Sequence, residues 1–190
     1  MEVAPTSYNA GDFVIRAYRP GDGAAMAKAV RESYEHLQPW MPWASPNHSS
    51  AASEEYVGVV QQNYEAQTDF ALGIWKGDEL AGGTGFHLRW GPVDWKVAEI
   101  GMWIAYTEAN RGLGTAALQA LLDWGFTDWG WHRLIWRCDD TNVASTRVAE
   151  KCGMVQEAIL REDRLHVNGQ RNSTKLFAML RSDWEATRRQ

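Results

Sequence analysis

Residues 98–153, AEIGMWIAYTEANRGLGTAALQALLDWGFTDWGWHRLIWRCDDTNVASTRVAEKCG, read as strand, glycine-bearing turn, helix, strand and second helix. Positions 97–104 are apolar except for Glu99 and Gly101, the pattern of a strand buried on most of its surface. From Leu113 the period lengthens, and Leu113, Ala117, Leu118, Leu121, Leu122 and Phe126 make one stripe of a helix ending near Gly130. Arg111, Gly112, Leu113, Gly114 and Thr115 fall where loop becomes helix, so their N–H groups have no carbonyl one turn back and form a ready anion site. Gly112 and Gly114 would let a diphosphate approach those amides, and Arg111 adds a fixed charge. Two glycines also open an ordinary tight turn, so the flanks must decide.

Two other phosphate motifs compete. A nucleoside triphosphatase loop needs Gly-Lys-Ser/Thr, but Thr115 follows Gly114 directly with no lysine. The dinucleotide fingerprint fits Gly112, Gly114 and Ala117, with Asp139 ending the next strand where a ribose-binding acid belongs. Against it, the stretch from Tyr106 to Arg111 separates the strand from its first glycine, which should follow at once.

The segment resembles the GNAT superfamily of acyl-CoA-dependent N-acyltransferases, and within it the branch that acetylates ribosomal-protein N-termini. The family's diphosphate motif, Arg/Gln-x-x-Gly-x-Gly/Ala, falls on residues 109–114, with Ala109 departing from the first position and losing that one side-chain donor. AEIGMWI, Asn142-x-x-Ser145 and RVAEKCGM fit the same branch, and the resemblance covers about residues 13–180. It implies an α/β (α+β) GNAT fold: a mostly antiparallel, twisted sheet of about seven strands flanked by helices, with a splayed central strand pair. It also implies acetyl-CoA as co-substrate, no metal, and an amine acceptor, and it suggests a homodimer.

Composition is consistent with one domain spanning 1–190, with residues 1–12 as a flexible tail and 182–190 as a short exposed helix. The chain is 45% hydrophobic and 23% charged, near globular averages. No run of about 18 apolar residues is present, and MEVAPTSYNAGD lacks the basic-then-apolar pattern of a leader, so the expectation is a cytoplasmic protein that does not enter a membrane. A net charge of -5 opposes nucleic-acid binding and not a cationic amine. Cys138 and Cys152 have no metal or redox spacing.

Outward from the centre, residues 13–18 alternate as a first strand and Asp22 is placed to cap a helix with Met26, Ala29, Val30 and Tyr34 on one face. Prolines and tryptophans from His36 to Ser50 predict an ordered loop, which in the resembled branch helps form the acceptor pocket. Trp40 and Trp43 therefore stand either as substrate contacts or as a lid on the core. A helix over 53–67 is expected to turn Tyr56, Val59, Val60 and Tyr64 inward. Residues 70–75 and 80–89 read as a hairpin whose Gly82, Gly83 and Gly85 mark a bulge or a close approach, and Asn168-Gly169 as a hairpin turn between Val167 and Gln170. Trp124, Trp129, Trp131 and Trp136 could fill a core or a subunit interface.

Acyl transfer needs a deprotonated amine, a held oxyanion and a leaving thiolate. Glu99 is the candidate base, because burial favours a carboxylate that accepts a proton; the alternative is a carboxylate paired with a cation that the sequence does not locate. Many GNAT enzymes place a tyrosine acid where this chain has Ala149, and in the resembled branch Ser145, one turn earlier, takes that role; it could equally bond backbone or pantetheine. The resemblance puts pantetheine against Asn142 and the backbone of Met102, Trp103 and Ile104, and leaves Arg147 and Lys151 for the 3′-phosphate. Cys138 raises a covalent route, weakened by the lack of an identified activating neighbour. Three functions remain open: acetyl transfer to a protein or small-molecule amine, transfer from succinyl-CoA or another acyl-CoA, and non-catalytic acyl-CoA binding.

Overall fold

The computed structural model describes residues 4–166 and 168–189. In chain order the elements are β1 (Ser7–Asn9), β2 (Val14–Ala17), α1 (Gly23–Glu32), α2 (Tyr34–Leu37), α3 (Ser50–Glu65), β3 (Phe70–Lys76), β4 (Glu79–His87), β5 (Val97–Ile104), α4 (Leu113–Thr127), β6 (Arg133–Asp139), α5 (Val143–Lys151), β7 (Val155–Leu165), β8 (Arg171–Leu180) and α6 (Arg181–Thr187). They build an eight-stranded sheet in the order β1-β2-β3-β4-β5-β6-β8-β7. Neighbours run antiparallel except β5 and β6, the parallel pair that α4 connects. The extra strand relative to the expected seven is β1, which lies within the segment expected to be a loose tail and pairs with β2 through Tyr8 and Ile15.

One pairing positions the site. β5 and β6 are in register only from Val97/Arg133 to Ile100/Trp136, although both strands continue to Ile104 and Asp139. Past Ile100 the sheet therefore opens into a wedge, the splay the family resemblance implied. α4 packs over it, with Leu113, Ala117, Leu118, Leu121, Leu122, Trp124 and Phe126 all buried. Trp124, Trp129, Trp131 and Trp136 are core residues, at 0–7% exposure, so they serve packing rather than an interface. Phe70 and Trp129 meet edge-on at 4.7 Å, and Trp129 stacks on Trp131 at 5.8 Å.

On the opposite sheet face, Met26, Ala29 and Val30 of α1 and Val57 and Val60 of α3 pack against Ala71, Trp75 and Leu80. Here the structure departs from two readings. Asp22 does not cap α1; its carboxylate takes both Arg16 Nη atoms at 2.7 and 3.0 Å. Glu54 of α3 caps it instead, accepting from the N–H groups of Gly21 and Gly23 at 2.6 and 2.9 Å. α3 starts at Ser50 under a Ser49 cap; Val60 is buried and Tyr64 packs on Phe70 at 5.2 Å as expected, but Val57 rather than Tyr56 and Val59 turns inward, the latter two being exposed at 46% and 49%. The C-terminal helix is short and exposed, as expected, with no buried residue, and is tied down by Trp184, which packs on Phe126 at 5.6 Å and donates to Asp123 at 2.8 Å. The β7–β8 hairpin turns at Gly169, with φ at +82°; Val167 lies outside the described residues.

Candidate active site

The loop between β5 and α4 ends on Gly112, whose φ of +87° favours glycine. The first N–H of this helix to find a backbone carbonyl is Ala116, bonded to Gly112 O at 3.0 Å, and no side chain caps the end. The amides of Gly112, Leu113, Gly114 and Thr115 are left for an external acceptor, and Arg111 stands exposed beside them. Gly114 differs from Gly112. A Cβ there would meet only Val148 Cγ2 at 3.6 Å and Ile104 Cγ1 at 3.7 Å, ordinary contacts, so internal packing does not require a glycine. An unhindered row of amides at a helix N-terminus fits the diphosphate of coenzyme A.

The wedge adjoins this loop. Ala105 N donates to Ala81 O at 2.8 Å, so alternation along the antiparallel ladder turns the backbone of Trp103 towards β4 and that of Met102 and Ile104 towards β6. Of the three residues expected to pair with pantetheine, Met102 and Ile104 thus present backbone groups to the opening, while Trp103 spends its own on Gly83. Across the wedge, Asn142 Oδ1 caps α5 by accepting from Ser145 N at 3.0 Å. Ser145 Oγ accepts the Trp136 indole N–H at 3.1 Å, so its own proton is free to be donated. Cys138 is buried against Thr146, and burial pushes the Cys152 thiol up to about 11, which suits neither for nucleophilic attack.

The other side of β5 is floored by glycines. The Trp103 indole lies across Gly83, where an added Cβ would stand 2.2 Å from Nε1. Trp43 meets Trp103 edge-on at 5.9 Å, and Trp40 reaches His166 of the β7–β8 hairpin at 6.2 Å. The two loop tryptophans therefore wall the face next to the wedge, Trp40 half-buried and Trp43 at 48% exposure. Glu99 is 4% exposed, and its oxygens accept from Arg89 Nη1 at 2.6 Å, Arg137 Nε at 2.8 Å and Trp90 Nε1 at 3.4 Å. This is the paired arrangement, with lone pairs engaged, rather than an open base. Arg89, Trp90 and Arg137 went unread in the sequence, although Arg137 interrupts the apolar run of β6 much as Glu99 does in β5.

Asp139 is unavailable to a ribose. Burial raises its proton affinity, but donors from Thr141 Oγ1 at 2.5 Å, Asn172 Nδ2 at 2.8 Å and Thr141 N at 2.9 Å together hold it below the usual carboxylate range. The dinucleotide reading loses its acid. Among the described residues no group of three or more His, Cys, Asp or Glu is placed to hold a metal, and no helix is long and apolar enough to cross a membrane.

Comparison with known proteins agrees with this geometry. Residues 12–155 match the family model described as Acetyltransferase (GNAT) domain. A Bacillus subtilis (strain 168) protein named "Putative ribosomal N-acetyltransferase YdaF" is 26% identical over 174 residues, 91% of this chain and 93% of that one. The solved structure of MccE, a microcin self-immunity acetyltransferase in complex with acetyl-CoA and AMP, superposes with a TM-score of 0.83 at 17% identity, covering 94% of this chain and 98% of the other. RimL, a ribosomal alpha-N-protein acetyltransferase in complex with coenzyme A, does so with a TM-score of 0.81 at 22% identity and the same coverage, 94% and 98%.

Proposed function

The chain belongs to the GNAT acetyltransferase family, and from that premise we propose that it moves the acetyl group of acetyl-CoA to the α-amine of a peptide N-terminus by direct attack in a ternary complex. The observation that carries this is the run of unpaired amides from Gly112 to Thr115 beside the open wedge between β5 and β6. Those amides and Arg111 take the diphosphate, the free edge at Met102 and Ile104 takes the pantetheine as an added strand, and Arg147 and Lys151, exposed on α5, take the 3′-phosphate. A peptide acceptor is favoured over a small amine by the half-open wall of Trp40, Trp43 and Trp103, and by the ribosomal names of two relatives.

The reading is tested by thermal shift with acetyl-CoA, CoA and NADH in parallel. At 100 times its dissociation constant acetyl-CoA should stabilise the fold by about 2.7 kcal/mol. CoA should act similarly and NADH not at all; a shift with NADH alone would overturn the assignment. Release of free CoA across a panel of N-terminal peptides and small amines, with acetyl-CoA and succinyl-CoA as donors, then fixes the acceptor and the acyl group.

Within this reaction Ser145 is assigned to hand its proton to the departing thiolate, with the Trp136 N–H polarising the hydroxyl. A thiolate is a good leaving group, so the contribution is modest. Ser145→Ala should lower kcat about tenfold, below the usual range of about 100-fold or more for positioned proton transfer, with KM for acetyl-CoA within a factor of about three. It should also cost roughly 1–2 kcal/mol of stability, because the Trp136 donor loses its acceptor. Unchanged kcat with lowered stability would leave Ser145 a purely structural partner of Trp136. Glu99 is assigned a holding role, since its oxygens are occupied by Arg89 and Arg137.

A further inference from the structure

If Glu99 is engaged, the amine must lose its proton elsewhere. We propose that His87 is the general base, oriented by Asp69; this rests on the acetyltransferase reading and extends it. His87 is the last residue of β4 and lies directly across from Glu99 in the ladder. Asp69, one residue before β3, holds the ring by both carboxylate oxygens, at 2.9 and 3.1 Å from Nδ1. A carboxylate at Nδ1 takes the N–H and leaves the lone pair on Nε2.

The ring's position is set by two glycines that pair across the strands, Gly85 and Gly101. A Cβ on Gly101 would stand 2.8 Å from His87 Nε2 and 3.1 Å from Cδ2, so a side chain there would push the ring aside, whereas one on Gly85 would strike the Phe70 carbonyl at 2.7 Å and stand 3.1 Å from Cε1. Nε2 has no hydrogen-bond partner among the described residues and sits over the residue before Met102, whose backbone faces the wedge. The ring lies on the same sheet face as Trp103, and Trp43 packs edge-on against that indole. This uncommitted proton acceptor is thus next to the β5 edge where the thioester carbonyl would be held.

The protons balance. Nε2 takes one proton from the arriving ammonium, and the freed nitrogen lone pair forms the C–N bond at the thioester carbon. Collapse breaks the C–S bond; the nitrogen gives its second proton to solvent, the thiolate takes one from Ser145, whose oxygen regains a proton from solvent, and the imidazolium discharges to solvent, so that one proton is released overall. Among the described residues, the charged and titratable groups around the ring are Asp69, Glu99 across the ladder, and Tyr56 near Asp69. Arg89 and Arg137 offset the charge of Glu99.

The test uses the full chain, acetyl-CoA, and a peptide with a free N-terminal serine. His87→Gln should lower kcat about 100-fold, the low end for a lost general base, with the acetyl-CoA dissociation constant within threefold. The acidic limb of kcat/KM should disappear, and imidazole in solution should restore part of the activity of His87→Gly. Asp69→Asn should lower kcat by a smaller factor. Long-range ¹H–¹⁵N correlation spectra of the unliganded wild type should show the Nδ1–H tautomer of His87, a readout independent of turnover. A wild type that fails to bind acetyl-CoA would sink the acetyltransferase reading. Binding and turnover with an equally active His87→Gln, or an Nε2–H tautomer, would overturn the proposal for His87 alone.

Discussion

Gly114→Asp is expected to leave the fold as stable as the parent and to weaken acetyl-CoA binding by at least about 100-fold. A side chain fits here without strain, because the positive-φ residues of the loop are Asn110 and Gly112, not Gly114, and a Cβ on Gly114 meets only Val148 and Ile104 at ordinary distances. A carboxylate in the first turn of a helix interacts favourably with the unpaired amides, by about 0.3–1 kcal/mol, and Asp is a better helix former than Gly. The same carboxylate would stand where the diphosphate must. At about 5 Å and an effective dielectric near 20, one like-charge pair costs roughly 3 kcal/mol, or about two decades in affinity. Isothermal titration with acetyl-CoA and a melting curve on the same sample decide the matter. Parental affinity at unchanged stability would mean that the diphosphate is not held at this helix. Gly112→Ala is a poorer probe, since its φ of +87° makes a side chain cost about 1–2 kcal/mol of strain that could explain lost binding indirectly.

That contrast shows what the sequence could and could not carry. The strand, loop, helix, strand and helix from Val97 to Lys151 are legible because each signal is local: an apolar run, a glycine-bearing turn, a 3.6-residue stripe. The elements misread depend on distant partners. Asp22 looks like a cap, but Arg16 takes its carboxylate and Glu54, on another helix, supplies the cap. α3 looked as though it should bury its largest apolar residues, yet Ser53 and Val57 face inward, because the small residue suits close approach to α1, where Glu54 already presses on Gly23. The candidate site divides the same way. The phosphate loop is contiguous and was found, whereas Arg137 reaches Glu99 from 38 residues away across a parallel pairing that no local pattern encodes. His87 and Asp69 carry no local signal, because only the register of β3, β4 and β5 shows that Gly101 makes room for an imidazole.

Glu99→Gln should lower the melting temperature by about 5–10 °C and weaken acetyl-CoA binding several-fold, rather than reduce kcat alone. The register explains why. Glu99 lies within the paired part of β5, opposite Ile135, while Arg137 is the first residue of β6 beyond the last pair, Ile100 with Trp136. The Arg137 guanidinium therefore reaches back from the diverging strand to a carboxylate on the closed one, and fixes where the wedge begins. Removing one partner of a buried pair costs about 3–5 kcal/mol. The cost here is at the low end or below, about 2–3 kcal/mol, because Arg89 is 54% and Arg137 23% exposed and water can reach the freed guanidiniums. In a domain of this size each kcal/mol moves the midpoint by about 2–4 °C. Arg137→Gln should cost less in the Glu99→Gln background than alone, with a coupling of about 1–3 kcal/mol in the double-mutant cycle. A Glu99→Gln protein with an unchanged melting point, parental acetyl-CoA affinity and a large loss of kcat would return Glu99 to the role of base and take that role from His87, since a clamped carboxylate and an open one cannot fail in the same way.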